Sequence, residues 1–313
     1  MINLEMDRLL SKIARLYYLE NMNQDRIAER FNINRVRVSR YLKKARERDL
    51  VQITVKSPPE SFPAIERAIE KIYNLRECII VPSHENPQDT LKDMGASLSS
   101  LFERILHDGD YLGVNYGITL KGISSHLSTF KKQEINVVPI VGGIGRTETG
   151  IHTNYIAKQF AGALGGISYV INAPAILDSR EAKEMLMRDS NTKEIFELFR
   201  HLSCVIFSFS DLGPESNYAR IGFLSAAEIG HLRDMGSVGD VNLDFIDAEG
   251  KHIPNGVFDR VIALPIAGIR KVKNVIGIAF GKRKIEITRA VLRGGIVKVL
   301  VIDKTVADGV ARG

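Results

Sequence analysis

Between residues 57 and 63 the chain reads Ser57-Pro58-Pro59-Glu60-Ser61-Phe62-Pro63. Three prolines in seven residues can continue neither a helix nor a central strand. The break predicts two bodies of unequal size: residues 1–56, a linker at 57–63, and residues 64–313. The charge divides at the same place. The chain carries a net charge of +6; residues 1–56 hold 13 Lys and Arg against 7 Asp and Glu, and the remainder holds 30 of each. All the excess positive charge therefore lies in the first body, as expected of a segment that meets a polyanion.

The spacing within that body predicts three helices. Apolar residues Leu9, Leu10, Ile13, Ala14, Leu16 and Tyr17 recur at helical period over Leu4–Glu20. Asn23 is placed to cap a second helix, Gln24–Phe31, and Asn34 a third, Arg35–Glu47. Only Asn32, Ile33 and Asn34 separate these two, the tight connection of a helix-turn-helix. Asn32 stands where the chain needs a left-handed residue, which Asn tolerates. The alternating run Leu50–Val55 reads as a strand or short wing, so the head is of winged type. Between Arg35 and Arg48 there are seven basic residues and one acid. The N-terminal part of such a third helix reaches base edges in the major groove, where arginine pairs with guanine and an apolar group meets a thymine methyl. Arg35, Val36, Arg37 and Arg40 are the candidate base readers. Asn23, Gln24, Asn34, Ser39, Lys43 and Lys44 are candidates for the DNA backbone and helix starts.

Beyond the linker, strands and helices alternate. Strands are expected at 77–81, 111–115, 136–141, 168–171, 203–209, 241–246, 274–280 and 298–302, with helices between them. Several strands are apolar on both faces, which predicts an open, mostly parallel α/β sheet covered by helices. Ligands bind such sheets at the strands' carboxyl ends. Three glycine-bearing loops fall there: Gly113–Thr119, Val141–Arg146 and Phe280–Lys284. Glycine lets amides approach an anion, and Lys284 supplies a cation. None is a nucleotide-binding fingerprint.

Other chemistries find little support. No apolar run approaches the roughly eighteen residues of a bilayer span, and the first ten residues do not read as a secretion signal. A cytoplasmic protein without membrane association is expected. The two cysteines, Cys78 and Cys204, fall in buried strands and suit a reducing compartment. The seven histidines show no paired ligand spacing, so neither a metal nor another cofactor is expected. An isomerase-like enzyme would need an acid–base pair, for which Asp240, Glu148 and His152 are the candidates; no catalytic residues are expected.

Taken together these residues resemble the SorC/DeoR-type family of sugar-binding transcriptional regulators. The resemblance rests on Ala14–Tyr18, Gln24–Ala28 and Val38–Leu42 in the head. In the body it rests on Val137–Gly143, Gly239–Gly250 and Val299–Asp303. It implies an effector domain similar in fold to phosphosugar isomerases, a phosphorylated sugar or polyol as effector, operator DNA as partner, and tetramers. A dimer is the smallest assembly that reads two half-sites. It further implies that Gly117, Ile118 and Thr119 line the phosphate opposite Lys284. Gly142, Gly143 and Asn154 would border the sugar, and Asp240 would take a sugar hydroxyl. Two positions depart from the family pattern. Ile118 replaces a threonine, removing one phosphate hydroxyl, with Lys282 and Arg283 as compensating cations. Val141 stands where some relatives carry a Schiff-base lysine. An unphosphorylated sugar therefore stays open as effector, as does the choice between repressor and activator.

Overall fold

In strand β5, Leu202–Asp211, the buried side chains alternate between two cores. Val205, Phe207 and Phe209 enter one; Cys204 and Ile206 enter the other. Period-two alternation with both sides apolar requires helices on both faces of the sheet, and a computed structural model of the chain has this arrangement. It describes residues 4–53, 61–128, 134–143, 152–213, 216, 218 and 224–312. The chain divides into two compact units, Met1–Pro58 and Pro59–Gly313.

The first unit holds α1 (Leu4–Tyr18), α2 (Gln24–Phe31) and α3 (Arg35–Glu47). Leu10, Ile13, Ile27, Val38 and Ala45 are fully buried between them. Arg48 pairs with Asp7 at 2.5 Å and ties the end of α3 to α1. Val51–Ile53 form no strand, and Thr54 and Val55 of the expected wing lie outside the described residues.

The second unit is built on a sheet of strand order β1-β9-β8-β5-β2-β3-β4. In chain order these are β1 (Glu77–Val81), β2 (Tyr111–Val114), β3 (Asn136–Pro139), β4 (Ile167–Ser168), β5, β8 (Asn274–Ala279) and β9 (Val299–Asp303). All these neighbours pair in parallel. The residues at 241–246, expected as one strand, instead make a hairpin of β6 (Gly239–Val241) and β7 (Asp244–Ile246), antiparallel to the end of β5. The turn residues Asn242 and Leu243 have φ of 55° and 68°, the double left-handed turn that suits a two-residue hairpin.

Helices α4 (Pro63–Tyr73), α5 (Pro87–Ile105), α6 (Ile118–Ser124) and α7 (Thr153–Leu164) come first in this unit. Next, α8 (Arg180–Arg188) and α9 (Ser190–Leu198) lie between β4 and β5. Last come α10 (Ala226–Asp234), α11 (Ile285–Arg293) and α12 (Lys304–Val310). Ile69 of α4 packs with Ile287 and Val291 of α11 and Val306 of α12 on one face of the sheet. Helices α5, α6 and α7 cover the other with Leu98, Leu120 and Phe160. The third linker proline opens α4 instead of ending a linker, since proline at a helix's first position has no N–H to lose. Helix α4 also protects an edge: its Glu70 and Glu66 carboxylates accept the Cys78 and Ile80 amides of β1, each at 2.9 Å. No helix among the described residues is long and apolar enough to cross a membrane.

Candidate DNA-reading helix and effector site

Both expected caps of the helix-turn-helix form. Asn23 Oδ1 accepts the Arg26 amide at 2.9 Å, and Asn34 Oδ1 accepts the Arg37 amide at 2.8 Å. Asn32 sits at φ 51°, closing α2 in the left-handed conformation. The cap oxygens of Asn23 and Asn34 are therefore engaged by the protein's own backbone. From α3 the side chains of Arg35, Val36, Arg37, Ser39, Arg40, Lys43 and Lys44 are exposed, with Val36 62% accessible, and Gln24 at the start of α2 is half-buried. Three of the cations are partly committed. Arg35 lies 3.8 Å from Asp25, and Lys43 lies 3.8 Å from Glu47. Arg37 Nε donates to Tyr41 Oη at 2.8 Å, its guanidinium 5.5 Å from that ring's centroid. Arg37 retains its terminal nitrogens for a ligand, but its direction is set by Tyr41. Neither Arg40 nor Lys44 makes a side-chain ion pair with a described residue.

In the second unit the strand order reverses between β2 and β5: β3 and β4 continue to one side of β2, β8 and β9 to the other side of β5. Loops diverging at such a point leave a crevice. Asn115, buried just past β2, locks its side chain onto the Ser208 backbone in both directions, at 3.1 and 3.2 Å. Gly117 follows at φ 132°, and a Cβ there would lie 2.9 Å from Ser208 Oγ, so only glycine fits. Gly117 caps α6 without a side-chain hydrogen bond, leaving Ile118 exposed and Thr119 half-buried at the helix start. Beside them the Tyr116 and Tyr218 hydroxyls meet at 3.2 Å. Burial pushes both phenols well above their ordinary pKa.

From β8 the chain turns at Gly281 through Lys282–Lys284 into α11. Lys284 Nζ reaches Asp211 Oδ2 at 3.2 Å, and Arg283 Nη2 reaches both Asp211 oxygens at 3.1 and 3.2 Å. Burial alone would raise the Asp211 pKa. Lys284, the Gly213 amide and Arg283 outweigh it and hold the carboxyl below its usual value. Asp240, 1% exposed, accepts the Leu243 amide on Oδ2 at 2.7 Å, while Oδ1 has no hydrogen-bond partner among the described residues. Burial lifts its pKa to about 6, against the pull of the Tyr218 and Ser210 hydroxyls, the Leu243 amide and Lys284. Next to Asp211 a cleft of about 560 Å³ is walled by Asp211, Gly213, Arg233, Arg283 and Glu286. That size is ordinary for a small-molecule site. Gly117, Asp240 and Lys284 do not line it.

The residues expected to border the sugar have other work. The Gly142 and Gly143 amides donate to Ile262 and Ala173 carbonyls at 2.8 and 2.7 Å, so neither can donate to a ligand. A Cβ on Gly142 would come within 2.6 Å of the Pro174 carbonyl oxygen; this glycine permits a close backbone crossing. Asn154 binds the Ile171 backbone through both ends of its amide, each at 3.1 Å, and so stitches α7 to the chain after β4. Val141, at the Schiff-base position of some relatives, is fully buried. Ile144–Arg146 and Glu148 lie outside the described residues. His152 caps α7, its Nδ1 accepting the Asn154 amide at 3.3 Å. The described residues contain no cluster of three or more His, Cys, Asp or Glu able to hold a metal. Cys78 and Cys204 are buried free thiols, with burial raising both pKa values. In the sequence Asn115 and Tyr116 stand out only as members of the Gly113–Thr119 loop, and Asp211 and Tyr218 not at all, since no spacing rule marks a lone polar residue at a strand end.

Among known proteins, residues 57–311 match the family described as a putative sugar-binding domain. Residues 10–48 match the one described as sigma-70, region 4. The chain belongs to the SorC/DeoR-type family of sugar-binding transcriptional regulators. The regulator is 29% identical over 307 residues to the deoxyribonucleoside regulator of Bacillus subtilis, covering 97% of each chain. It is 26% identical over 304 residues to the sorbitol operon regulator of Klebsiella pneumoniae, covering 96% of each. The crystal structure of full-length SorC from Klebsiella pneumoniae is similar with a TM-score of 0.75 and 26% identity, covering 97% of this chain and 99% of that one. These relatives are named as regulators, not as enzymes.

Proposed function

We propose that this regulator binds the operator of a carbohydrate-utilisation operon through α3, with its affinity set by a phosphorylated sugar or polyol bound in the second unit. The exposed basic face of α3 supports the first half, with Arg40 and Lys44 free to reach bases and phosphates. One observation supports the second half: Lys284 and Arg283 converge on Asp211 at the carboxyl end of β5, beside a cleft of about 560 Å³. Paired cations of this kind favour a phosphoryl group. The proposed effector contacts are the Gly117–Thr119 backbone, Arg283, Lys284 and Asp240. Gly142, Gly143 and Asn154 shape the site without bonding the ligand. The regulator acts in the cytoplasm as a homo-oligomer, at least a dimer and by family likeness a tetramer.

A second reading has its own observation. Ile118 offers no hydroxyl where the family pattern has threonine, and Asp240 Oδ1, which has no hydrogen-bond partner among the described residues, suits a sugar hydroxyl donor. On that reading the effector is an unphosphorylated sugar. Thermal unfolding with matched phosphorylated and free sugars and polyols separates the two. A ligand at a hundred times its Kd adds about 2.7 kcal/mol, a shift of several degrees. A shift by the phosphorylated member alone supports the first reading; a shift by the free member alone supports the second.

A further inference from the structure

The two cations assigned to the effector phosphate are already held by a carboxylate. Arg283 Nη2 contacts both Asp211 oxygens, and Lys284 Nζ contacts Oδ2. Asp211 and Lys284 are well enclosed, with side chains 13% and 18% exposed, so water screens their attraction poorly. The carboxyl stays ionised because the neighbouring charges outweigh its burial. We infer that Asp211 is a built-in counter-anion which an effector's phosphoryl group must displace from Lys284 and Arg283, making the site selective for doubly charged anions. This rests on the phosphate reading of the preceding section.

The selectivity follows from charge and tethering. Asp211 is part of the chain, so it competes at a high effective concentration. A singly charged carboxylate or sulfonate arriving from solution brings two or three oxygens and one negative charge. It thus gains little over the resident group and must still give up its own freedom to bind. A phosphomonoester carries nearly two charges and three strong acceptor oxygens, enough to satisfy both cations at once. Asp211 would therefore weaken binding of every anion while rejecting single charges most strongly. This is discrimination by an unfavourable element within the site.

The sign of one substitution tests this. Asp211→Asn keeps an oxygen for the Gly213 amide, which Asp211 Oδ1 accepts at 2.9 Å, while it removes the charge and replaces Oδ2, the acceptor of Lys284, with an amide donor. The full-length protein, Asp211→Asn and Lys284→Ala would be titrated calorimetrically with inorganic phosphate at pH 8, where it is dianionic, and with acetate. Asp211→Asn should bind phosphate on the order of tenfold more tightly and gain measurable acetate binding, while Lys284→Ala weakens phosphate binding. If Asp211→Asn weakens phosphate binding or leaves it unchanged while Lys284→Ala weakens it, the counter-anion role is overturned and the phosphate site stands. If Lys284→Ala has no effect, or no form binds phosphate, the phosphate reading fails and the counter-anion role fails with it. Asp211→Ser, which also retains an acceptor oxygen, replaces Asp211→Asn if the melting midpoint shows that the asparagine form does not fold.

Discussion

Asp240 is held in the folded chain at an energetic cost. Its pKa of about 6 stands above the usual 3.8 because burial disfavours the charged form. Below about pH 4 the carboxyl is protonated folded or unfolded and contributes no difference. Between about pH 4 and 6 the native state binds more protons, so stability falls as pH rises, and the deficit persists above pH 6. Asp240→Asn retains an acceptor for the Leu243 amide and should raise stability at pH 7 by up to about 3 kcal/mol, shrinking the loss of stability between pH 4 and 6. It should also weaken effector binding. Urea unfolding at pH 4 and 7 checks the first expectation; a stability gain equal at both values contradicts the assignment. On α3, Arg40→Ala should cost about 1–3 kcal/mol on a specific site and relax discrimination at one base pair. Lys44→Ala should weaken all sequences alike and reduce the salt slope by about one phosphate. Quantitative binding to a selected site and its single-base variants, across salt, separates these two. The cap residues Asn23, Asn32 and Asn34 were legible in sequence because capping is local. Asp211 was not, because its meaning depends on Arg283 and Lys284, some seventy positions away.

At the scale of elements, the strands read best where burial is two-sided, as in β5 and β8, and worst where a turn interrupts an apolar run. Val241–Ile246 looks continuous in sequence, yet Asn242 and Leu243 take left-handed angles and divide it. Asn242 Nδ2 then bonds the Ile140 and Leu264 carbonyls, a long-range reason for the turn that periodicity cannot display. Helix α4 was hidden behind the prolines that announced a linker. The loops after strands carry backbone work that a glycine or amide pattern does not display: Gly142, Gly143 and Asn154 serve backbone packing. Asn154→Ala should accordingly lower stability by about 1–3 kcal/mol, the cost of leaving the Ile171 N–H and carbonyl unpaired. Effector affinity, measured well below the melting midpoint, should stay nearly unchanged. A normal melting curve with lost effector binding would return Asn154 to the ligand's contact set.

At the scale of the whole molecule, the partition of charge and the alternation of strands and helices made both units legible: a basic helical head and a charge-balanced α/β body. The proposed control of the head by the body is a matter of coupling, and coupling requires an effector that binds the DNA-competent and DNA-incompetent states with different affinity. The most direct measurement is the affinity of the full-length protein for an operator selected from random DNA, with and without matched phosphorylated and free sugars and polyols, repeated with Lys284→Ala. The account predicts that one phosphorylated compound shifts operator affinity by about 5–150-fold, that its free counterpart does not, and that Lys284→Ala abolishes the shift while leaving effector-free DNA binding intact. Operator affinity that stays constant across the whole panel, or a shift that survives Lys284→Ala undiminished, would contradict it.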